Sequence, residues 1–277
     1  AGSLFVQSGF FTNTWEGYLR AYDQVDLVTF LTSGGAAPVP VWSANFPAAN
    51  TRNIVTSTDI STMVPFTWGS LTDPLKTSLD VSNLAAASSP ILNYLRGDVS
   101  QELRNGGIFR NRFNTILGDI VNSSPLYSSA TDHAYQRQPA GSFTLPLGST
   151  QGYDEYRDYV AAKKSTRRPV VVVGSNGGML HVFDARRSVA TSGQEMFAFV
   201  PRSLYPTLRN LASPAYTHRY YVDGQVVEGD VWNGTSWKTI AVGSTGAGGA
   251  GLFAIDITAP ESGLGSANVL WDIVPSE

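Results

Sequence analysis

The sequence has no cysteine and only three histidines in 277 residues. Without cysteine there is no disulfide framework, no thiolate zinc site and no cysteine nucleophile. His133, His181 and His218 stand far apart, and none has the i, i+4 partner that brings two imidazoles to one metal. All three are expected to be structural. The G-x-S-x-G elbow of a serine hydrolase is also missing. Charge is scarce: 15% of residues are Asp, Glu, Lys or Arg, against roughly 25% in an ordinary domain, and the net charge is −3. A nucleic-acid binder carries a basic face, so that class is set aside. No run of 18 apolar residues occurs, so no transmembrane segment is expected. The start, Ala1-Gly2-Ser3-Leu4, lacks the charged-then-apolar order of a signal peptide, and the chain reads as a mature or excised piece.

What is present is turn formers and apolar residues: 27 glycines, 15 prolines and a hydrophobic share of 42%. That mixture is too apolar for disorder and too rich in turns for a helical bundle. It fits a mainly β protein of many short strands. A short segment recurs. Gly17-Tyr18-Leu19-Arg20-Ala21-Tyr22-Asp23 is echoed by Gly178-Met179-Leu180-His181-Val182-Phe183-Asp184 and by Gly251-Leu252-Phe253-Ala254-Ile255-Asp256. Each is an alternating strand that starts at glycine and ends at aspartate.

The flanks of the last two copies match as well. Residues 169–175 and 239–244 precede them, 195–200 and 268–274 follow, and residues 119–127 and 225–232 supply a further strand ahead of each. Four strands joined by glycine turns, repeated in order, indicate a partial β-propeller of four-stranded antiparallel blades with helical insertions. The expected division is a partial first blade at 1–47, holding only the end of a blade with its last strand at 39–43. A helical insertion at 48–117 follows, then a second blade with an inserted helix at 118–200. A connecting helix at 201–223 leads to a third blade at 224–277. Propellers typically need at least about four blades to close, so the chain reads as incomplete. Within the insertion, Asp73-Pro74 and Ser89-Pro90 are helix starts, and Ile91, Leu92 and Leu95 make an apolar stripe ended by Gly97. Further helices are expected at 153–164, with Tyr153, Tyr156 and Val160 on one side, and at 201–211.

The run Gly118-Asp119-Ile120-Val121-Asn122-Ser123-Ser124-Pro125, followed by residues 173–184, resembles the C-terminal domain of the PilC/PilY family. So do Asn93-Tyr94-Leu95-Arg96-Gly97-Asp98, Phe109-Arg110-Asn111-Arg112, Tyr220-Tyr221-Val222-Asp223-Gly224 and residues 237–260. The resemblance covers nearly the whole chain in order. It implies a modified β-propeller from a type IV pilus tip adhesin and pilus-biogenesis factor. It also implies a place at the bacterial cell surface, at the pilus tip or outer membrane, and a part in adhesion and twitching motility. The implied partners are minor pilins and a host-cell receptor or abiotic surface. The family's Asp-rich calcium loop has no counterpart here. It belongs to a later blade that would lie beyond Glu277, so no cofactor is expected in this chain.

Three groups of residues stand out. Arg96-Gly97-Asp98 is the tripeptide integrins recognise on a displayed loop, or else a helix end with Gly97 as its left-handed cap. Asp23, Asp184 and Asp256 recur at one blade position and are expected to accept backbone N–H groups of the following turn. The glycine-rich run 243–251 lacks the lysine of a phosphate loop and leads into a strand, so it reads as a long hairpin turn; Asn176-Gly177 is a hairpin signal too. Two other functions compete with the non-catalytic pilus reading. The Gly-x-Leu-x-Ala-Phe-Asp strand also resembles quinoprotein dehydrogenase repeats, and a generic outer-membrane scaffold propeller would share the architecture.

Overall fold

In a computed structural model, residues 3–135 and 153–275 are described, with side chains in the second stretch from Tyr156 onward. The expected blade limits at residues 1 and 277, and the Tyr153 side chain, lie outside the described residues. Three sheets carry the fold. The first joins β1 (Leu4–Phe11), β2 (Glu16–Asp23) and β3 (Trp42–Ser43), all antiparallel. Alternation explains it: Leu4 and Val6 pack inward, while Phe5 between them is exposed. The sequence reading granted this region only the end of a blade, so β1 is a correction. So is α1 (Gln24–Ser33), which buries none of its residues. It owes its start to Asp23, which caps the N–H of Val25, and its stop to Gly34 at φ 72°.

The stretch expected to be a purely helical insertion contains two strands, β4 (Ile54–Ser57) and β5 (Met63–Pro65), before α2 (Asp73–Asp80) and α3 (Pro90–Leu95). Every residue of β4 is buried, which suits a β-branched run covered on both faces. Later come β6 (Leu126–Ser128), α4 (Tyr153–Thr166), β7 (Val170–Ser175), β8 (Met179–Asp184) and β9 (Glu195–Val200). β4 pairs parallel with β9, so the second sheet has six strands in the order β5-β4-β9-β8-β7-β6 and not the expected four. The strand expected at 119–127 is only β6, because Asp119 bonds to the turn after β7, Asn122 to Asp223 and Ser123 to β7 instead. A short helix, α5 (Tyr205–Leu208), flanked by 3₁₀ turns, leads on. The third sheet follows in simple order: β10 (Val226–Trp232), β11 (Trp237–Ser244), β12 (Leu252–Asp256) and β13 (Val269–Ile273).

The second sheet lies between the other two. Along β7, Val170 and Val172 join a core that includes Phe253 and Ile255 of the third sheet. Val171 and Val173 join another with Leu19, Ala21 and Trp42 of the first. That is why β7 is an unbroken apolar run where an edge sheet would alternate.

Candidate functional site

Segment 113–119 is clasped between two hairpins. Its backbone N–H groups at Phe113, Asn114 and Thr115 donate to the buried Glu16 carboxylate at 2.9, 2.6 and 3.2 Å. Gly17 N–H donates to Leu117 O at 2.8 Å, and Asn176 N–H to Asp119 O at 2.8 Å. The approach is so close that a Cβ on Gly118 would lie 2.0 Å from the Gly177 backbone nitrogen. Backbone, not side chain, fills that space, so glycine is required there.

Over the clasp sits a cavity of about 30 Å³ whose lining includes Trp15, Tyr94, Arg110, Arg112, Asn176 and Tyr216. Each wall is held from outside. Trp15 adopts φ 55°, a left-handed conformation that is uncommon for a bulky residue. It stacks on the His218 ring at 3.9 Å and on Phe10 at 5.4 Å. His218 Nε2 lies 2.7 Å from Asp119 Oδ2, which also accepts from Asn176 Nδ2 at 2.8 Å. Asn176 Oδ1 in turn accepts from Tyr221 N–H at 2.8 Å. The Arg112 guanidinium covers the Tyr94 ring at 3.7 Å and donates to Glu102, Tyr94 O and Asp98 O. Arg110 lies 4.0 Å from the Tyr216 ring centroid. Burial pushes the Tyr94 phenol up, against the opposing charges of Arg112 and Arg110, so it stays a donor.

A second polar cluster was not foreseen. Ser175 Oγ lies 3.1 Å from His181 Nε2, and His181 Nδ1 lies 2.7 Å from Glu195 Oε1. This is the order of a hydrolase triad. Cross-strand register explains it: Ser175 pairs with Met179, so His181 is its diagonal neighbour on the same face. All three are at most 4% exposed, and Ser175 Oγ already accepts from Gly177 N–H at 3.2 Å. Burial would raise the Glu195 carboxyl, but the charge and hydrogen bonds of Arg52, joined by His181, hold it down to about 2. Burial also lowers His181, leaving it neutral. Arg52 grips Glu195 at 2.6 and 2.7 Å and donates to Arg96 O at 2.8 Å. The cluster ties the insertion to the second sheet.

Arg96, Gly97 and Asp98 form a helix end, with Gly97 at φ 107° just past α3. Arg96 is buried and points inward, donating to Phe66 O and Arg52 O at 2.9 Å each. An integrin ligand needs that guanidinium on the surface, so the displayed-tripeptide reading is corrected. Asp98 caps Ser100 N–H at 2.8 Å. Asp23, Asp184 and Asp256 each accept the backbone N–H two residues on, from Val25, Arg186 and Thr258, at 2.9 to 3.0 Å. Asp184 is also gripped by Arg186, and Asp23 pairs with Arg187 after the next blade's strand. Residues 243–251 link β11 to β12 through a 3₁₀ turn at Gly246–Gly248. Among the described residues no group of three or more His, Cys, Asp or Glu is placed to hold a metal ion.

The family model described as "PilY1 beta-propeller domain" matches residues 117–276. The chain belongs to this family. Of its curated relatives, a "Type IV pilus biogenesis factor PilY1 homolog" of Xylella fastidiosa is 40% identical across 98% of this chain and 19% of its own length. "Type IV pilus biogenesis factor PilY1" of Pseudomonas aeruginosa strain PAK is 36% identical across 94% of this chain and 21% of its own. The chain thus spans about a fifth of the PilY1 relatives it matches. The solved Pseudomonas aeruginosa PilY1 C-terminal domain is 39% identical where it aligns, over 43% of this chain and 20% of that one, with a TM-score of 0.31. Trp15, Tyr94 and Arg110, which line the cavity, lie ahead of the matched propeller residues; Asn176 and Tyr216 lie within them.

Proposed function

We propose that this chain is a non-catalytic propeller portion of a type IV pilus-biogenesis factor and tip adhesin, acting by surface recognition and by contact with minor pilins. The observation that carries the reading is 40% identity to a PilY1 homolog across 98% of the chain. Burial supports the non-catalytic part. A serine, histidine and glutamate stand in catalytic order, yet they are sealed in a core and the carboxylate is neutralised by Arg52. The bacterial surface, at the pilus tip or outer membrane, is the corresponding location. Among the described residues no helix is long and apolar enough to cross a membrane.

The test is crosslinking of the full-length protein on piliated cells, followed by mass spectrometry of the linked peptides. Links between this segment and minor pilins are expected. A full-length protein that crosslinks to outer-membrane assembly proteins and to no pilin would overturn the proposal.

A further inference from the structure

We propose that Asn233 is a site of spontaneous covalent modification, where the turn between β10 and β11 carries the asparagine through a cyclic imide to aspartate and isoaspartate. The inference is independent of the pilus reading. Asparagine followed by glycine occurs at Asn105, Asn176 and Asn233. Glycine lacks the Cβ that would hold its backbone nitrogen away from the preceding side chain. Sequence therefore ranks the three alike, and the structure separates them. The reaction has two requirements. The glycine N–H must be free to attack Cγ, and the amide Nδ2 must be free to leave.

Asn176 meets neither. It is 1% exposed, its Nδ2 donates to Asp119 Oδ2 at 2.8 Å, and Gly177 N–H donates to Ser175 Oγ at 3.2 Å. Asn105 is exposed, yet its Nδ2 donates to Val99 O at 2.7 Å and Gly106 N–H donates to Leu103 O at 3.1 Å. Asn233 meets both. Asn233 and Gly234 are exposed at the hairpin tip, and neither Asn233 Nδ2 nor Gly234 N–H has a hydrogen-bond partner among the described residues. Asn233 Oδ1, by contrast, accepts from Thr235 N–H and Thr235 Oγ1 at 3.0 Å each and from Ser236 N–H at 2.9 Å. These three donors tie up neither the attacking nor the leaving nitrogen. They polarise the carbonyl and stabilise the charge that gathers on its oxygen as Cγ is attacked. The step balances: Gly234 N gives its proton to solvent, the N–Cγ bond forms, and the Cγ–Nδ2 bond breaks with release of ammonia. Water then opens either carbonyl of the imide, leaving aspartate or isoaspartate and one more negative charge. Isoaspartate also lengthens the main chain of the turn by one carbon.

The experiment is timed peptide mapping by mass spectrometry of the full-length protein held at about pH 8, either native or unfolded in guanidinium chloride. Conversion at each of the three asparagines is read as the mass gain of amide to acid, with isoaspartate separated by chromatography. In the native protein Asn233 should convert about tenfold faster than Asn105, which must first break two hydrogen bonds. Asn176 should stay intact, since only local unfolding frees it. In denaturant the three should converge on similar rates, none above the native rate of Asn233. The products should include isoaspartate, because water can open either side of the imide. Thr235→Val removes the hydroxyl donor, keeps both backbone N–H donors, and should slow conversion at Asn233. Native conversion at Asn105 or Asn176 as fast as at Asn233 would overturn the proposal. So would faster reaction of Asn233 in denaturant than in the fold, an unchanged rate in Thr235→Val, or aspartate as the sole product.

Discussion

At the residue scale, the buried Arg52–Glu195–His181–Ser175 chain sets the clearest energetic expectations. Removing one partner of a buried ion pair leaves the other charge uncompensated, so Arg52→Ala should cost about 3–5 kcal/mol in chemical denaturation. Ser175→Ala removes a hydroxyl on which His181 Nε2 and Gly177 N–H both rely and should cost about 1–3 kcal/mol. The same cluster fixes a pH dependence. His181 is held below its ordinary 6.5 in the fold, so the unfolded chain takes up the proton first and stability falls as pH drops below 6.5. Glu195 is lowered from 4.5 to about 2, so a further loss follows as pH falls from 4.5 toward 2. Urea midpoints across that range should show both steps, with the first reduced in His181→Gln. Asp272 runs the other way: burial raises its carboxyl above 3.8, so its ionisation weakens the fold as pH rises past that value. How much of this was legible depended on locality. The turn bonds of Asp23, Asp184 and Asp256 span two residues and repeat three times, so pattern alone exposed them. Arg52 and Glu195 stand 143 positions apart, and only the parallel pairing of β4 with β9 brings their segments together. Arg110 and Tyr94 enter the sequence reading only through a family likeness, since nothing in spacing says that they line one cavity.

At the element scale, α4 is a helix docked by polar groups and aromatic rings. Lys163 Nζ and Tyr156 Oη both donate to the buried Asp230 of β10, at 2.7 and 2.9 Å. Tyr159 meets Thr239 of β11 at 2.6 Å, and burial pushes its phenol up to about 12. Tyr156 also packs edge-on to Trp237 at 4.6 Å. Lys163→Ala leaves the buried Asp230 carboxylate without its counter-charge, and limited proteolysis should then cut α4 well before the sheets; equal resistance to wild type would refute the docking. Gly118→Ala should be equally telling, since its Cβ meets backbone that cannot swing away. It should part the clasped hairpins and raise hydrogen exchange at 113–119. Elements were legible where a strongly apolar run stood against a glycine turn, as in β7, β8 and β12. β4 was hidden because the proline-marked helix starts around it dominated the reading. α1 was missed because it buries nothing and so leaves no amphipathic stripe to find.

At the scale of the whole molecule, three sheets stack in chain order with the six-stranded one in the middle. Side chains lock the joints between them. Arg167 donates to Ser128 Oγ at 2.8 Å and to Ile257 O at 2.7 Å, joining the second sheet to the third, and Glu228 accepts from Ser128 and from Thr131. Asp23 and Arg187 join the first to the second. The repeated strand disclosed this stacking, because a sheet with two apolar faces needs a neighbour on each side. Pilus function was not disclosed by pattern at all. It rests on family likeness, and the buried triad-like cluster is where that reading is most exposed to refutation. The direct measurement is the number of surface pili, by electron microscopy, in cells whose full-length gene carries Ser175→Ala, beside cells lacking the gene. Few or no pili in the deletion and a normal number with Ser175→Ala are expected. Normal piliation in the deletion, or loss of pili with Ser175→Ala at unchanged protein level, would contradict a non-catalytic role in pilus biogenesis.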